Sequence, residues 1–438
     1  MKVEKNNPQL SLNSHSKSGS KAKKVPKLRF KEFSEEWLEK EFGSVYSFFQ
    51  TNSFSRSLLN YENGTIKNIH YGDIHTKYKS MFYISDEEVP FLSNDIDITK
   101  IKDQSYCMVK DLIIADASED YKDIGKAIEI IDLEDQKLVA GLHTYIARDL
   151  NNLTYLGFSG YLMQSYKIRS QMMKYATGIS VLGLSKTSLS KIKINLPTLP
   201  EQQKIADCLS TWDDSIENLK SLIENKKLYK KGMMQKLFSQ ELRFKADDGS
   251  NYPAWVEKKL GEMGNITTGS TPSTKNSEYY GGDKLFVSPS DINSSRYIKR
   301  TNTTLTELGF KKGRKVSKGS VCFVCIGSTI GKVSQLTQDS LTNQQINCIT
   351  ANSNNSNEFT YSLLEYNADK IKLLAGEQAV PQINKSDFSR LKFLTPCLQE
   401  QTKIANFLSA LDDEIELLGQ ELEQLQLQKK GLMQGMFV

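Results

Sequence analysis

Glu201-Gln202-Gln203-Lys204-Ile205-Ala206-Asp207-Cys208-Leu209-Ser210 is answered 199 positions later by Glu400-Gln401-Thr402-Lys403-Ile404-Ala405-Asn406-Phe407-Leu408-Ser409. The same offset relates Lys230-Lys231-Gly232-Met233-Met234-Gln235-Lys236-Leu237-Phe238 to Lys429-Lys430-Gly431-Leu432-Met433-Gln434-Gly435-Met436-Phe437, so nothing is inserted or deleted between the anchors. Upstream, Leu28-Arg29-Phe30-Lys31 is echoed by Leu242-Arg243-Phe244-Lys245, each followed by a tryptophan, Trp37 or Trp255, and then by Phe42-Gly43 or Leu260-Gly261. The chain is therefore two copies of one unit, a globular segment followed by a long helix. A pseudo-two-fold object of this kind suits a ligand that itself comes in two halves.

Each repeated block carries apolar residues at alternating four- and three-residue steps. The first reads Ile205, Leu209, Trp212, Ile216, Leu219, Ile223, Lys226, Lys230, Met233, Leu237, and the second Ile404, Leu408, Leu411, Ile415, Leu418, Leu422, Leu425, Lys429, Leu432, Met436. A period of 3.5 marks a coiled-coil seam rather than the stripe of a globular surface helix. Pro197 and Pro200 precede the first helix and Pro396 the second, and Glu201 or Glu400 falls at the positive end of the helix dipole. From Glu201 to Phe238 such a helix is roughly 57 Å long at 1.5 Å per residue. A dimerisation coiled coil has the same period. Two equal helices in one chain, however, make an intramolecular antiparallel pair the simpler expectation, with one globule at each end of a rod and Phe437 finishing near Leu28.

The expected fold is thus α+β: two similar mixed α/β domains separated by two long helices that form an intramolecular antiparallel coiled coil. The boundaries expected are a disordered basic tail over 1–27, a first domain over 28–196, a first helix over 197–239, a second domain over 240–396 and a second helix over 397–438. With 438 residues and 38% hydrophobic content, each domain has enough chain for its own core. No apolar run is long enough to cross a bilayer and no signal peptide is legible, so no membrane role and a cytoplasmic location are expected. Six scattered cysteines fit reduced thiols. The net charge of +5 is no evidence for nucleic acid: residues 1–27 hold seven lysines and one glutamate, leaving the remainder at −1.

Charge is concentrated locally instead. Between residues 296 and 318 lie Arg296, Lys299, Arg300, Lys311, Lys312, Arg314, Lys315 and Lys318 against Glu307 alone. A loop near residue 270 supplies Thr271, Ser273, Lys275, Tyr279 and Tyr280, small hydroxyls, a cation and aromatics able to hold phosphates and base edges. The first globule offers Asn52, Ser53, Arg56, Lys67, His70, Tyr71, His75, Lys77 and Lys79. Basic residues interleaved with His and Tyr are compatible with a duplex, and a solvated face is the alternative reading. The strands around Val321 and Leu112, each followed by a Gly-Lys turn (Gly331-Lys332, Gly125-Lys126), align as versions of one fold whose loops differ, as two readers of two sequences would.

The tools of an enzyme are missing. Gly327-Ser328-Thr329-Ile330-Gly331-Lys332 is a residue short of a phosphate-binding loop, with Val333 where Ser or Thr belongs. No Asp/Asn-Pro-Pro-aromatic tetrapeptide or Gly-x-Gly cofactor loop occurs. Cys322 and Cys325 have the gap of a zinc half-site but no second pair, in an apolar strand, and read as buried thiols. His15, His70, His75 and His143 form no metal or triad constellation. No catalytic residue and no metal ligand is expected.

The doubled Glu-Gln-x-Lys-Ile-Ala blocks, the Lys-Lys-Gly-x-Met-Gln-x-x-Phe closures and the Leu-Arg-Phe-Lys entries together resemble the DNA specificity subunit of Type I restriction-modification systems, from Leu28 to Val438. The resemblance implies a non-catalytic subunit in which each target recognition domain reads one half of a bipartite, double-stranded DNA target. It implies helices that set the gap and dock two modification subunits, the seam residues Ile205 to Leu237 and Ile404 to Met436 matching the family's spacer segments. S-adenosylmethionine, ATP and magnesium are implied for the partners, two modification and two restriction subunits, and no cofactor for this chain. Thr271-Pro272-Ser273 and Tyr279-Tyr280-Gly281-Gly282 resemble a loop of the second recognition domain, a pattern the first domain replaces by Asn52-Ser53-Phe54-Ser55-Arg56. The recognition subunit of a combined restriction-methylation enzyme, and a coiled-coil scaffold that binds no DNA, are the alternative readings.

Overall fold

The computed structural model describes residues 10–12, 25–293, 295–376 and 381–438, so most of the tail expected over 1–27 lies outside the described residues. Two compact units divide the chain, residues 1–217 with 423–438 and residues 218–422. Each holds one globular segment, the beginning of the helix that follows it and the end of the other helix.

In the first unit, Leu112-Ile113-Ile114-Ala115 is apolar throughout, the pattern of a strand covered on both faces, and it forms the middle of a five-stranded sheet. The order is Ser47–Phe49, Thr144–Arg148, Leu112–Ala115, Ala127–Asp132, Met81–Tyr83, with the last pair parallel and the others antiparallel. One face, through Leu112, Ile114 and Ala147, packs on Phe158, Tyr161, Met172 and the helix residues Ile205, Leu209 and Met436. The other, through Ile113, Ile128, Ile130 and Ile146, packs on Ile69, Leu138 and Ala140 of a smaller sheet. In that sheet Lys137–Ala140 runs parallel to Ile66–Ile69.

The second unit repeats this plan. Its five-stranded sheet orders Gly264–Thr268, Ile346–Ala351, Val321–Val324, Val333–Leu336 and Tyr297–Ile298, again with only the last pair parallel. Tyr280–Val287 pairs in parallel with Leu341–Thr342, as Ile66–Ile69 does with its neighbour. Cys322, Cys325 and Cys348 are free, buried thiols, as their apolar setting requires, and burial pushes the Cys325 thiol up to about 12.

The helices span Leu199–Phe238 and Leu398–Met436, so Pro200 sits inside the first turn rather than ahead of it, where its missing N–H costs no bond. Every apolar seam position is buried or half-buried: Ile205, Leu209, Ile216, Ile223, Leu237, Ile404, Leu408, Leu411 and Met436 buried, and Trp212, Leu219, Met233, Ile415, Leu418, Leu422, Leu425 and Leu432 half-buried. In the first unit Ile205 and Leu209 share a core with Leu432, Met436 and Phe437, and in the second Ile404, Leu408 and Leu411 share one with Met234 and Leu237. The start of one helix therefore lies beside the end of the other in both units, an antiparallel pairing. Phe437 packs edge-on against Trp37, ring centroids 6.5 Å apart, and Phe238 does the same with Trp255 at 6.4 Å.

The repeated Glu-Gln dipeptide has a buried structural task in addition to the first-turn position expected of its glutamate. Arg29 grips both oxygens of Glu201 at 2.7 Å while the Trp37 indole N–H donates to the same carboxylate at 3.2 Å. Arg243 and Trp255 hold Glu400 in the same way. Gln202 donates to the carbonyls of Pro197 and Leu153 and accepts from the Tyr155 N–H, and Gln401 donates to the Pro396 carbonyl and accepts from the Ser356 N–H. The two residues thereby bolt each helix to its own domain. Among the described residues no helix is long and apolar enough to cross a membrane.

Candidate nucleic-acid interface

In the first domain, loops from four places in the sequence meet at one end of the five-stranded sheet. The Asn52 N–H donates to the Ala140 carbonyl at 2.9 Å, which sets residues 51–56 against residues 140–143. Arg56 is half out in solvent and makes a bidentate pair, 2.7 and 2.9 Å, with buried Asp73 of the short helix Tyr71–Thr76. His70 caps that helix by accepting the Gly72 N–H at 3.1 Å, and burial followed by the charge of Arg56 holds its imidazole below the ordinary value. Tyr71 is ringed by His70, His75 and His143 at centroid distances of 4.7, 6.1 and 5.3 Å. Lys77 leans on Tyr61, its ammonium 3.1 Å from the phenol oxygen. His143 and Tyr61 complete the cluster and escaped the sequence reading: nothing local marks His143, which arrives from a loop 68 positions beyond His75.

The second domain builds the corresponding end from different chemistry. The Ser270 N–H donates to the Thr342 carbonyl at 2.7 Å, and Gly269 lies so close to the next loop that a Cβ would sit 1.9 Å from the Asn343 carbonyl oxygen. Thr271 donates to Gln344 at 2.7 Å, while Ser273, Lys275 and Gln344 are exposed. Arg314 crosses from residues 311–315, its backbone N–H on Ser270 Oγ and its guanidinium on the Gly269 carbonyl, both at 2.7 Å. Tyr280 donates to the Pro272 carbonyl at 2.7 Å and the Tyr279 carbonyl accepts the Thr306 N–H, so both hold the loop in shape. Gln344 was missed because an isolated glutamine carries no signal.

The cation run of the second domain divides. Lys311 and Lys312 are exposed near Arg314, and Arg300 is exposed as well. Lys315 is paired with Asp339 at 2.6 Å. Arg296 is a correction: its guanidinium is buried, bonded to Gln335, Ser409 and Asp412 and stacked over Tyr361, so it joins the domain to the second helix and faces no solvent. Lys299 is likewise tied to that helix through Glu416. In the first domain, Lys79 faces Glu217 of the first helix at 3.8 Å, and Lys67 lies over the Phe91 ring. Lys299, Lys79 and Lys67 thus each have an acidic or aromatic partner outside the loops.

The Type I restriction modification DNA specificity domain is matched twice along this chain, over residues 34–226 and 253–427. The chain belongs to that family. It is a family of DNA recognition, not of catalysis, and both copies of the domain are present in this specificity subunit. Among similar proteins, the putative type I restriction enzyme MjaX specificity subunit of Methanocaldococcus jannaschii is 28% identical over 360 residues, 77% of this chain and 82% of the relative. The type I restriction enzyme HindI specificity subunit of Haemophilus influenzae is 35% identical over 150 residues, and that match spans about a third of its length, 32%. The crystal structure of the Type-I restriction-modification system S subunit from M. genitalium shares the fold with a TM-score of 0.59 at 16% identity, covering 94% of this chain and 99% of that one. A chain from a study of complex assembly and conformational transition of the type I R-M system gives 0.54 at 13% identity, covering 91% and 96%.

Within this specificity subunit the described residues contain no group of three or more His, Cys, Asp or Glu side chains placed to hold a metal. The Tyr71 cluster presents histidine and tyrosine rings beside the half-exposed Arg56 and Lys77. Exposed cations draw phosphates and rings meet base edges or sugars.

Proposed function

We propose that each recognition domain reads one half of a bipartite double-stranded target, that the helices set the unread gap between the halves, and that the helices dock two modification subunits. The observation that carries this reading is one strand order built twice with unlike loop ends: Arg56, His70, Tyr71, His75, Lys77 and His143 in one copy, Thr271, Ser273, Lys275, Lys312, Arg314 and Gln344 in the other. A common scaffold with different loop chemistry gives two half-site specificities. Two modification subunits and two restriction subunits complete the assembly in the cytoplasm. S-adenosylmethionine, ATP and magnesium serve those partners, and this chain contributes recognition. The helices carry exposed Leu222, Leu228, Tyr229, Leu417 and Leu427 outside the seam, apolar surface for a partner. The test is exchange of residues 28–196 for the matching domain of a relative, followed by adenine-methylation mapping. One half of the target should change and the other persist, and a change in both halves would refute the reading. A combined restriction-methylation partner is distinguished by the neighbouring reading frames, where separate modification and restriction genes are expected.

A further inference from the structure

Residues 177–183 of the first recognition domain form a locked hairpin. Thr177 and Gly183 exchange both backbone bonds, the Thr177 N–H donating at 3.0 Å and the Gly183 N–H at 2.7 Å. Inside the turn Gly178 has φ +130°, and a Cβ there would lie 2.1 Å from the Val181 carbonyl oxygen, so glycine is required. Ala176 and Leu182 anchor the base on the domain core. The tip is Ile179, with a relative exposure of 102%, followed by Val181 at 55%.

One exposed apolar side chain is ordinary in itself. What singles out Ile179 is where its hairpin stands. Leu182–Gly183 pairs with Ala117–Ser118, and the Leu184 N–H donates to the Asp116 carbonyl at 2.8 Å. The Ala117 carbonyl accepts from His75 Nε2 at 2.9 Å, and the Asp116 carboxylate contacts His143 Nδ1 at 3.2 Å. The hairpin is therefore continuous, through one strand pair, with the ring cluster around Tyr71. Its backbone closure and core anchor supply what an inserting side chain needs, a mount that does not yield when bases are unstacked.

Resting on the DNA-reading function proposed above, we propose that Ile179 is an apolar wedge that enters the groove beside the Tyr71 cluster and inserts at a base step of the first domain's half-site. Arg56 and Lys77, half out in solvent and sharing Asp73, leave a net positive charge that holds the flanking backbone, while the wedge kinks the step and extends the contact.

The test uses the full chain assembled with its modification subunits and a duplex bearing the methylation-mapped target. 2-Aminopurine is placed at successive positions of the half-site that domain exchange assigns to residues 28–196, except the methylated adenine, which a methyltransferase flips out of the stack by itself. The native complex should raise the fluorescence at one step. Ile179→Ser should abolish that rise and weaken target binding about tenfold with an unchanged salt slope, while Ile179→Leu keeps both. Since Ile179 touches no core, neither variant disturbs the packing of the domain. A native complex that binds its target with no rise at any step, or an Ile179→Ser complex that keeps both rise and affinity, overturns the wedge alone. Loss of modification subunits from Ile179→Ser also overturns it and makes the hairpin a protein-docking element. A native complex with no preference for the mapped target overturns the proposed function itself.

Discussion

Lys230 of the first helix meets Asp412 of the second at 2.5 Å, and Lys429 of the second meets Asp213 of the first: the same pair, displaced by the repeat and with the helices exchanged. Lys230 also reaches Glu365 at 2.6 Å and lies over the Tyr361 ring, just as Lys429 lies over Tyr161. A lysine at a seam position is thus the device that ties each domain to both helices.

Lys230→Met should accordingly destabilise the chain by about 1–3 kcal/mol, because it removes the charge-assisted bonds to Glu365 and Asp412 and leaves Arg296 as the remaining partner of Asp412. Lys227→Met, which removes an exposed pair with Glu224, should stay within about 0.5 kcal/mol. Urea unfolding of the two variants checks the contrast.

Glu129 is buried beneath the helix Phe158–Gln164 and accepts the N–H groups of Gly157 and Gly160 at 2.9 and 2.6 Å. Burial outweighs those bonds and pushes its carboxyl up to about 7 from an ordinary 4.5. The folded state then binds the proton more tightly than the unfolded chain. This contribution is fully present below about pH 4.5 and is lost as pH rises through about 7. Glu129→Gln should flatten the fall in stability between those pH values, as measured by urea midpoints across the range.

Neutralising Lys275, Lys311 and Lys312 should weaken binding to every duplex and reduce the salt slope by up to about 0.9 for each phosphate that is no longer neutralised. Arg296→Met should instead lower stability by about 3 kcal/mol and leave the slope of the folded protein alone. Salt titrations of both variants separate the exposed cations from the structural one, and an unchanged slope in the first would assign those lysines to solvent.

On the bipartite reading, four residues inserted into both helices near Leu222 and Glu421 add about 6 Å of helix, which should lengthen the unread gap by about two base pairs. Methylation mapping reads the gap directly. Altered base identity with an unaltered gap would contradict the role given to the helices.

What the sequence determined by itself was whatever depends on neighbours along the chain. The 3.5-residue period of Ile205 to Leu237 and Ile404 to Met436, the repeat of Glu201-Gln202 at Glu400-Gln401, and the apolar runs at Leu112 and Val321 each declare an element locally, because helix and strand periodicities are properties of a short segment. Tertiary structure alone decided which charges are spent. Arg296 and Lys299 resemble Lys311 and Lys312 in composition, but the first two are taken up by Asp412 and Glu416, which come more than a hundred positions later in the chain. Glu201 is legible as a first-turn acid, but that Arg29 and Trp37, from the other end of the domain's sequence, close on it is not. His143 joined Tyr71 only because Thr144–Arg148 and Leu112–Ala115 are paired strands. A side chain's charge is written in the sequence, but its partner is set by the strand and helix neighbours that folding brings within hydrogen-bond reach.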